Sequence, residues 1–88
     1  MMNNKEAFRD YLQLEKKYSP HTVLAYWNDI VSFELFNSVH FDQQTIDQVN
    51  YSQIRSWIVS LVDDGLSNVS VNRKIASLKA YYKFLLKT

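Results

Sequence analysis

The sequence contains no cysteine and no long apolar run, and each absence excludes a class of protein. Without cysteine the chain can form neither a disulfide framework nor a thiolate zinc site, and a reducing, cytoplasmic setting is expected. No stretch approaches the ~20 apolar residues that a membrane-spanning helix requires. The opening residues, MMNNKEAF, also lack the apolar segment of a secretory signal.

Glycine and proline are scarce, with one of each in 88 residues. Both residues interrupt helices, so their scarcity, together with apolar residues at spacings of three and four, predicts an all-α protein. Apolar residues make up 47% of the sequence, which is enough to build a core in so short a chain. We therefore expect a compact bundle of four helices that forms a single domain over residues 1–88.

Capping residues predict where the first two helices begin. Asn3 or Asn4 can cap the first, and Ser19 followed by Pro20 is a favoured start for the second. The side chains expected to line the core are Phe8, Tyr11, Leu12 and Leu14 in the first helix and Val23, Tyr26, Trp27, Ile30 and Phe33 in the second.

The second half of the chain predicts two further helices. Residues 38–50 lack periodicity and are interpreted as a connection with room for one short helical turn. The third helix is expected over residues 52–63 with Gly65 as its stop, and the fourth from between residues 67 and 70 to about residue 86. The core stripe expected for the fourth helix is Val71, Ile75, Leu78, Tyr82 and Leu85.

No catalytic or cofactor motif is recognisable in the sequence. His21 and His40 lie in different segments and lack the helical spacing of a metal-binding pair. Gly65 stands alone, which excludes a glycine-rich phosphate loop, and no serine lies in a nucleophile-elbow motif. We therefore expect neither enzymatic activity in this chain nor a bound metal or cofactor.

Charge is distributed unevenly along the chain. Residues 1–44 carry four basic and six acidic side chains, whereas residues 45–88 carry six basic and three acidic. From residue 67 to residue 88 there are five basic side chains and no acidic one. Two interpretations stay open from the residues alone: a basic helix that contacts a polyanion, or a solvated face whose lysines suit a helix C-terminus.

Two stretches carry a pattern beyond periodicity. The first, YLQLEKKYSPHTVLAYWNDIVSFELF (residues 11–36), has a charged pair, then S-P-H-T, then A-Y-x-x-D-I-x-x-F. The second, IRSWIVSLVDDGLSNVSVNRKIASLKAYYKFLL (residues 54–86), has G-L-S followed by S-x-N-R-x-I-A-x-L-K-x-Y-Y-x-F-L. Together, in this order, they resemble the N-terminal core-binding domain of tyrosine recombinases of the Xer and phage-integrase type.

The resemblance implies a SAM-like, orthogonal four-helix bundle that forms one jaw of a C-shaped clamp around duplex DNA. In that family a separate C-terminal domain holds the catalytic arginines, lysine, histidine and nucleophilic tyrosine, a set that these 88 residues do not contain. The chain is expected to bind duplex DNA without cutting it, beside other recombinase subunits, as a domain of a longer recombinase or integrase. The resemblance implies no small-molecule cofactor and no membrane.

The resemblance also nominates residues for DNA contact. Around the S-P-H-T turn these are Lys17, Ser19, His21 and Thr22, and in the first half of the last helix they are Ser67, Ser70, Asn72, Arg73, Lys74 and Ser77. The turn is expected to face the DNA backbone beside Arg73, whereas Lys83 and Lys87 are expected to be solvated. Trp27 and Asn28 stand where the family often has basic residues, which predicts fewer phosphate contacts from the second helix.

A helical protein-interaction module without DNA binding is the alternative. Such a module would use an exposed aromatic patch, with Trp27 or Tyr81 accessible. Aromatic side chains that alternate with Ile and Leu at helical spacing are more typical of core packing.

Overall fold

Four helices make up most of the described chain. In the computed structural model, which describes residues 3–42 and 45–87, α1 spans Asn4–Leu14, α2 Pro20–Phe41, α3 Tyr51–Asp63 and α4 Asn68–Lys87. No strand occurs within these residues, and the all-α prediction is confirmed. The Cα radius of gyration is 12.9 Å, close to the ~12 Å of a compact chain of this length. None of the described helices is both long enough and apolar enough to span a bilayer.

Each helix begins with a side-chain cap. A side-chain oxygen of the capping residue accepts the backbone N–H three positions further on, which satisfies one of the free donors of the first turn. Pro20 occupies the first position of α2, where its missing N–H costs no hydrogen bond. The predicted starts are confirmed, and the capping residues are Asn3, Ser19, Asn50 and Ser67.

The end of α2 lies later than the sequence predicts. Residues 38–41, assigned above to a connection, are helical, and α2 ends where Asp42 adopts a left-handed conformation with φ 50°. Gly65, by contrast, ends α3 as predicted, with φ +90°, a conformation that costs glycine little. Asp42 is plausible as a cap or turn residue from its type, but aspartate is a weaker stop signal than glycine, which explains the difference between the two predictions.

The segment after α2 is fastened to α4. Ile46 is 2% exposed, and its carbonyl accepts a hydrogen bond from the Tyr82 hydroxyl at 2.6 Å. The Tyr81 hydroxyl donates to Asp47 at 2.7 Å. This segment, in which the sequence shows no pattern, thus closes one side of the core.

Aromatic rings dominate the core. Phe8 of α1 packs against Tyr26, Tyr81 and Phe84, and Phe33 of α2 packs against Trp57. In α4, Tyr81 and Phe84 are buried, whereas Tyr82 and Leu85 of the predicted stripe are only partly buried. Val71 and Leu78 are buried as predicted, so the stripe differs from the prediction only in the second half of α4, where it shifts by one position toward the α1 aromatic residues.

Two residues predicted to be in the core lie elsewhere. Leu14 is 71% exposed, because two positions along a helix place it about 160° away from the buried Leu12. Trp27 is half-buried, and its ring is covered by the Lys5 ammonium and the Arg9 guanidinium, each 5.0 Å from the ring centroid. Trp27 therefore joins α1 to α2 through cation–π contacts at the edge of the core.

Candidate nucleic-acid interface

The two patterned stretches meet at one buried carboxylate. Asp29, the aspartate of the first stretch, is 1% exposed and lies against α4. One of its oxygens accepts hydrogen bonds from Arg73 at 2.9 Å and from Lys74 at 3.0 Å, and the other accepts from the Ser77 hydroxyl at 2.7 Å. A buried carboxylate needs such donors, because an unpaired charge in the interior is strongly unfavourable.

The three donors differ in how much of them reaches the surface. The Arg73 side chain is 55% exposed, so the guanidinium spans from the buried carboxylate to solvent. Lys74 is 16% exposed in its side chain and is directed inward. Ser77 is fully buried at 0%. The nomination of Ser77 for DNA contact is therefore wrong, because its hydroxyl is used within the protein.

The start of α2 is a compact polar turn. The Ser19 hydroxyl accepts the Thr22 N–H at 3.3 Å and lies 3.0 Å from the Thr22 hydroxyl. Lys17, two residues before the cap, has φ 55°, a left-handed conformation that few non-glycine residues adopt. Lys17, Ser19, His21 and Thr22 are all exposed, with their polar atoms around a helix N-terminus, which suits an anion.

The start of α4 has the same capping arrangement as the start of α2. The Ser67 hydroxyl accepts the Ser70 N–H and donates to the Ser70 hydroxyl, each at 3.2 Å. Ser67 and Asn72 are exposed, and Ser70 is half-buried. No hydrogen bond or ion pair among residues 3–42 and 45–87 joins this cap to the cap of α2. The structure therefore shows no polar bond between the two nominated turns in the described residues.

The start of α2 lies beside the opposite half of α4. Tyr18 and Tyr26 line one concave surface together with Lys83 and Lys87. Arg73 lies ten residues before Lys83, about 15 Å along the helix axis. The expectation that the S-P-H-T turn faces the DNA backbone beside Arg73 stays a prediction, and such a backbone would have to extend about 15 Å along α4. Sequence reasoning set Lys83 and Lys87 aside as solvated, and only the pairing of α2 with α4 brings them next to the turn.

The solvent face of α4 is a basic row. The exposed residues of this row recur at spacings of three and four, which keeps them on one side of the helix. They are Asn72, Ala76, Lys79, Lys83 and Lys87, with Arg73 at the edge. No acidic side chain interrupts the row, so α4 presents positive charge along most of its length.

The tyrosines that face the core are poor candidates for nucleophiles. Burial, reinforced by the hydrogen bond to Asp47, raises the pKa of Tyr81 well above its ordinary value. Burial also raises the pKa of Tyr82, with the nearby Asp47 charge adding to the effect. An activated nucleophile needs a lowered pKa, so these shifts have the wrong sign for catalysis. Across residues 3–42 and 45–87, no group of three or more His, Cys, Asp or Glu side chains is placed to hold a metal.

Comparison with known proteins gives one consistent family. The family model described as phage integrase, N-terminal SAM-like domain, matches residues 6–88. A protein named tyrosine recombinase XerC from Anoxybacillus flavithermus is 40% identical over 81 residues, which cover 91% of this chain and 26% of that protein. No solved structure gives a significant match.

Further relatives carry the same name. The tyrosine recombinase XerC of Bacillus subtilis is 33% identical over 85 residues, covering 97% of this chain and 28% of the relative. That of Lacticaseibacillus casei is 33% identical over 79 residues, covering 90% of this chain and 26% of the relative. The chain thus spans about a quarter of the length of these relatives. With a family model matched over nearly all its residues, the chain belongs to the N-terminal SAM-like domain family of phage integrases, which its tyrosine recombinase relatives share.

Proposed function

We propose that the chain is the DNA-binding N-terminal domain of a site-specific tyrosine recombinase. It grips duplex DNA while a catalytic domain outside this sequence cuts and rejoins the strands, and other recombinase subunits bind the same DNA. Residues 1–88 form this single domain, which contributes binding and no chemistry. The observation that carries the proposal is the basic, acid-free solvent face of α4.

The dimensions of α4 suit a DNA groove. Its 20 residues extend over about 30 Å, and the major groove of B-form DNA, about 12 Å wide, admits a helix. Lysine ammonium groups along the row can neutralise backbone phosphates, which gives affinity without sequence preference. Asn72 and Arg73, near the start of the helix, carry the side chains that read adenine and guanine edges.

Asp29 supports this role through Arg73. The carboxylate takes up one N–H of the guanidinium and leaves the exposed remainder free to reach a phosphate or a base. Lys74 contributes indirectly, because its charge helps to neutralise Asp29. We propose further contacts from polar side chains at the two helix starts. Five of them are exposed and Ser70 is half-buried. They are Lys17, Ser19, His21, Thr22, Ser67 and Ser70.

The protein-interaction alternative finds less support. Tyr81 is 1% exposed and offers nothing to an aromatic docking patch. Trp27 is half-buried beneath Lys5 and Arg9. Most aromatic rings pack on one another in the core, as the spacing predicts.

Removing the exposed guanidinium tests the proposal. We expect the unaltered chain to bind mixed-sequence duplex DNA with a dissociation constant on the order of 10⁻⁶ to 10⁻⁴ M at physiological salt. Arg73→Ala should weaken binding by about fivefold or more and lower the salt slope by about one, as expected when one DNA contact is lost. Fluorescence anisotropy of a labelled duplex at several salt concentrations measures both quantities.

A matched variant separates this contact from net charge. Arg55→Ala removes the same side chain from an exposed position on α3 and should change the affinity less. Circular dichroism should show that both variants keep the helical fold, because Arg55 is exposed and Asp29 keeps its Lys74 and Ser77 donors when Arg73 is removed. Equal binding by all three chains across the salt series would rule out the assigned face, and absence of any binding by the unaltered chain would rule out the function.

A further inference from the structure

A concave surface lies between the end of α1, the start of α2 and the last turns of α4. Its volume is about 200 Å³, room for several water-sized groups. We name it the lysine–tyrosine cleft after the side chains at its mouth: Lys16, Lys83, Lys87, Tyr11, Tyr18 and Tyr26. Its floor is apolar and includes the buried Phe8 and Leu12.

Two of the lysines converge on one tyrosine. The Lys16 ammonium lies 5.9 Å and the Lys87 ammonium 5.6 Å from the centroid of the Tyr11 ring. Lys87 also donates a hydrogen bond to the Tyr11 hydroxyl oxygen at 3.4 Å. Because the phenol oxygen accepts this bond, its own proton remains available to donate to a bound group.

The positive charge of the cleft has no carboxylate partner. In the part of the chain that the structure describes, the ion pairs involve other cations (Lys5, Arg9, Arg73 and Lys74), and none involves Lys16, Lys83 or Lys87. Glu15 lies on the rim, in an adjoining surface that Lys16 and Lys87 also line, but it pairs with neither. Like charges held over one concave, partly apolar surface concentrate a positive potential, which an anion would relieve.

We propose that the lysine–tyrosine cleft binds a phosphodiester group of the DNA backbone. Three ammonium donors and one phenol O–H suit the several acceptor oxygens of a phosphate. Lys83 belongs both to the cleft and to the basic row of α4, so a duplex lying along that row passes the mouth of the cleft. This inference rests on the proposed function and adds an anchoring contact about 15 Å along the helix from Arg73.

The test compares single-charge variants of the 88-residue chain. Lys87→Gln removes the ammonium that bonds to Tyr11, and Arg55→Gln removes one positive charge from an exposed site on α3 as the matched control. With a labelled mixed-sequence duplex, we expect Lys87→Gln to lower the salt slope by about one and the affinity by about fivefold relative to the control. Tyr11→Phe, which keeps the ring and removes the hydroxyl, should give a smaller loss of about twofold.

The outcomes separate this inference from the function on which it rests. If the unaltered chain binds the duplex and Lys87→Gln behaves as Arg55→Gln does, the cleft assignment is wrong and the DNA-binding function stands. If the unaltered chain does not bind, both fail. A titration with inorganic phosphate at constant ionic strength, monitored by NMR of the tyrosine ring signals, tests whether the cleft binds free phosphate or the phosphodiester of DNA. Saturation of the cleft by inorganic phosphate, without any difference between the variants in DNA binding, would overturn the assignment to DNA.

Discussion

Asp29 and Asp47 are both held against α4, but by donors of different kinds. Asp29 is bound by two cations, Arg73 and Lys74, and by one hydroxyl. Asp47 is bound by neutral donors, since the Tyr81 hydroxyl and the Asn4 amide each donate to it at 2.7 Å. The first site joins two helices, and the second fastens an irregular segment to the bundle.

The difference shows how one residue type serves two purposes. At Asp29 two cations pair with one carboxylate, so the site has a net charge of one positive unit. This positive charge is accessible to solvent through the exposed Arg73 guanidinium. At Asp47 no cation is within ion-pair distance in the described chain, and the carboxylate acts as a hydrogen-bond acceptor. The charged site therefore belongs to the proposed DNA surface, whereas the neutral site belongs to the stability of the fold.

Truncation of Asp29 should have the largest effect. Asp29→Ala leaves the mostly buried Lys74 ammonium without its acceptor and leaves the buried Ser77 hydroxyl only the Arg73 carbonyl, at 3.2 Å. We expect the free energy of unfolding to fall by about 3–5 kcal/mol. Asp29→Asn keeps the shape but loses the charge and one of the two acceptor oxygens, so it should also destabilise the protein, but by less. Urea unfolding followed by circular dichroism measures both. A loss below about 1 kcal/mol for Asp29→Ala would show that the cations find equivalent partners in solvent.

Truncation of Asp47 should cost less. Asp47→Ala leaves the Tyr81 hydroxyl unpaired beside a small gap that water can enter, and we expect a loss of about 1–3 kcal/mol in the same urea experiment. Asp47→Asn retains an oxygen that can accept the Tyr81 proton and loses only the acceptor of the exposed Asn4 amide, so its stability should stay close to that of the unaltered chain. Relative to alanine, asparagine should thus restore more of the free energy of unfolding at position 47 than at position 29. Equal losses for the two amide variants would contradict the distinction between a charged and a neutral site.

Local sequence signals predicted the starts of the helices. A cap bonds to a residue three positions away, so Ser19 and Pro20 predicted the start of α2 without knowledge of the fold. Gly65 predicted the end of α3 in the same local way. The end of α2 could not be predicted, because Asp42 stops the helix without a glycine signal. Long-range contacts were equally hidden: the Asp29 and Ser77 side chains that bond each other lie 48 residues apart in the chain.

The candidate site shows the same division. The resemblance nominated Arg73 and the start of α2, whose exposure the structure supports. It did not distinguish Arg73 from Ser77, because a helical wheel places both on one flank and cannot show that α2 covers the deeper of the two. Lys16 belongs to the charged pair of the first stretch and Lys87 to the basic last helix, but no local signal shows that they meet, since they do so only over the Tyr11 ring.

Alkaline pH should lower the free energy of unfolding through Tyr81, the residue that donates to Asp47, by about 1.4 kcal/mol per pH unit. Burial and the hydrogen bond to Asp47 raise the pKa of Tyr81 above the ordinary value of about 10, so the folded protein holds the proton more tightly than the unfolded chain does. Below pH ~10 both states keep the proton and this contribution to stability is complete. Above it, only the unfolded chain releases the proton, and the free energy of unfolding falls by about 1.4 kcal/mol for each further pH unit.

Two phenylalanine variants isolate this tyrosine. Tyr81→Phe removes one ionisable group and should make the decline of stability between pH 10 and pH 11 less steep by about 1.4 kcal/mol per pH unit, whatever it costs at neutral pH. The part of the decline that comes from Tyr82, whose pKa is also raised, should remain. Tyr51→Phe makes the same chemical change at a side chain that is 77% exposed and should leave the decline as it is in the unaltered chain. The slope of unfolding free energy against pH is the quantity to compare, because the lysines and Tyr82, which titrate in the same range, are present in all three chains. If the slope is the same in all three, Tyr81 does not ionise on unfolding in this range, and the Asp47 site has no share in alkaline denaturation.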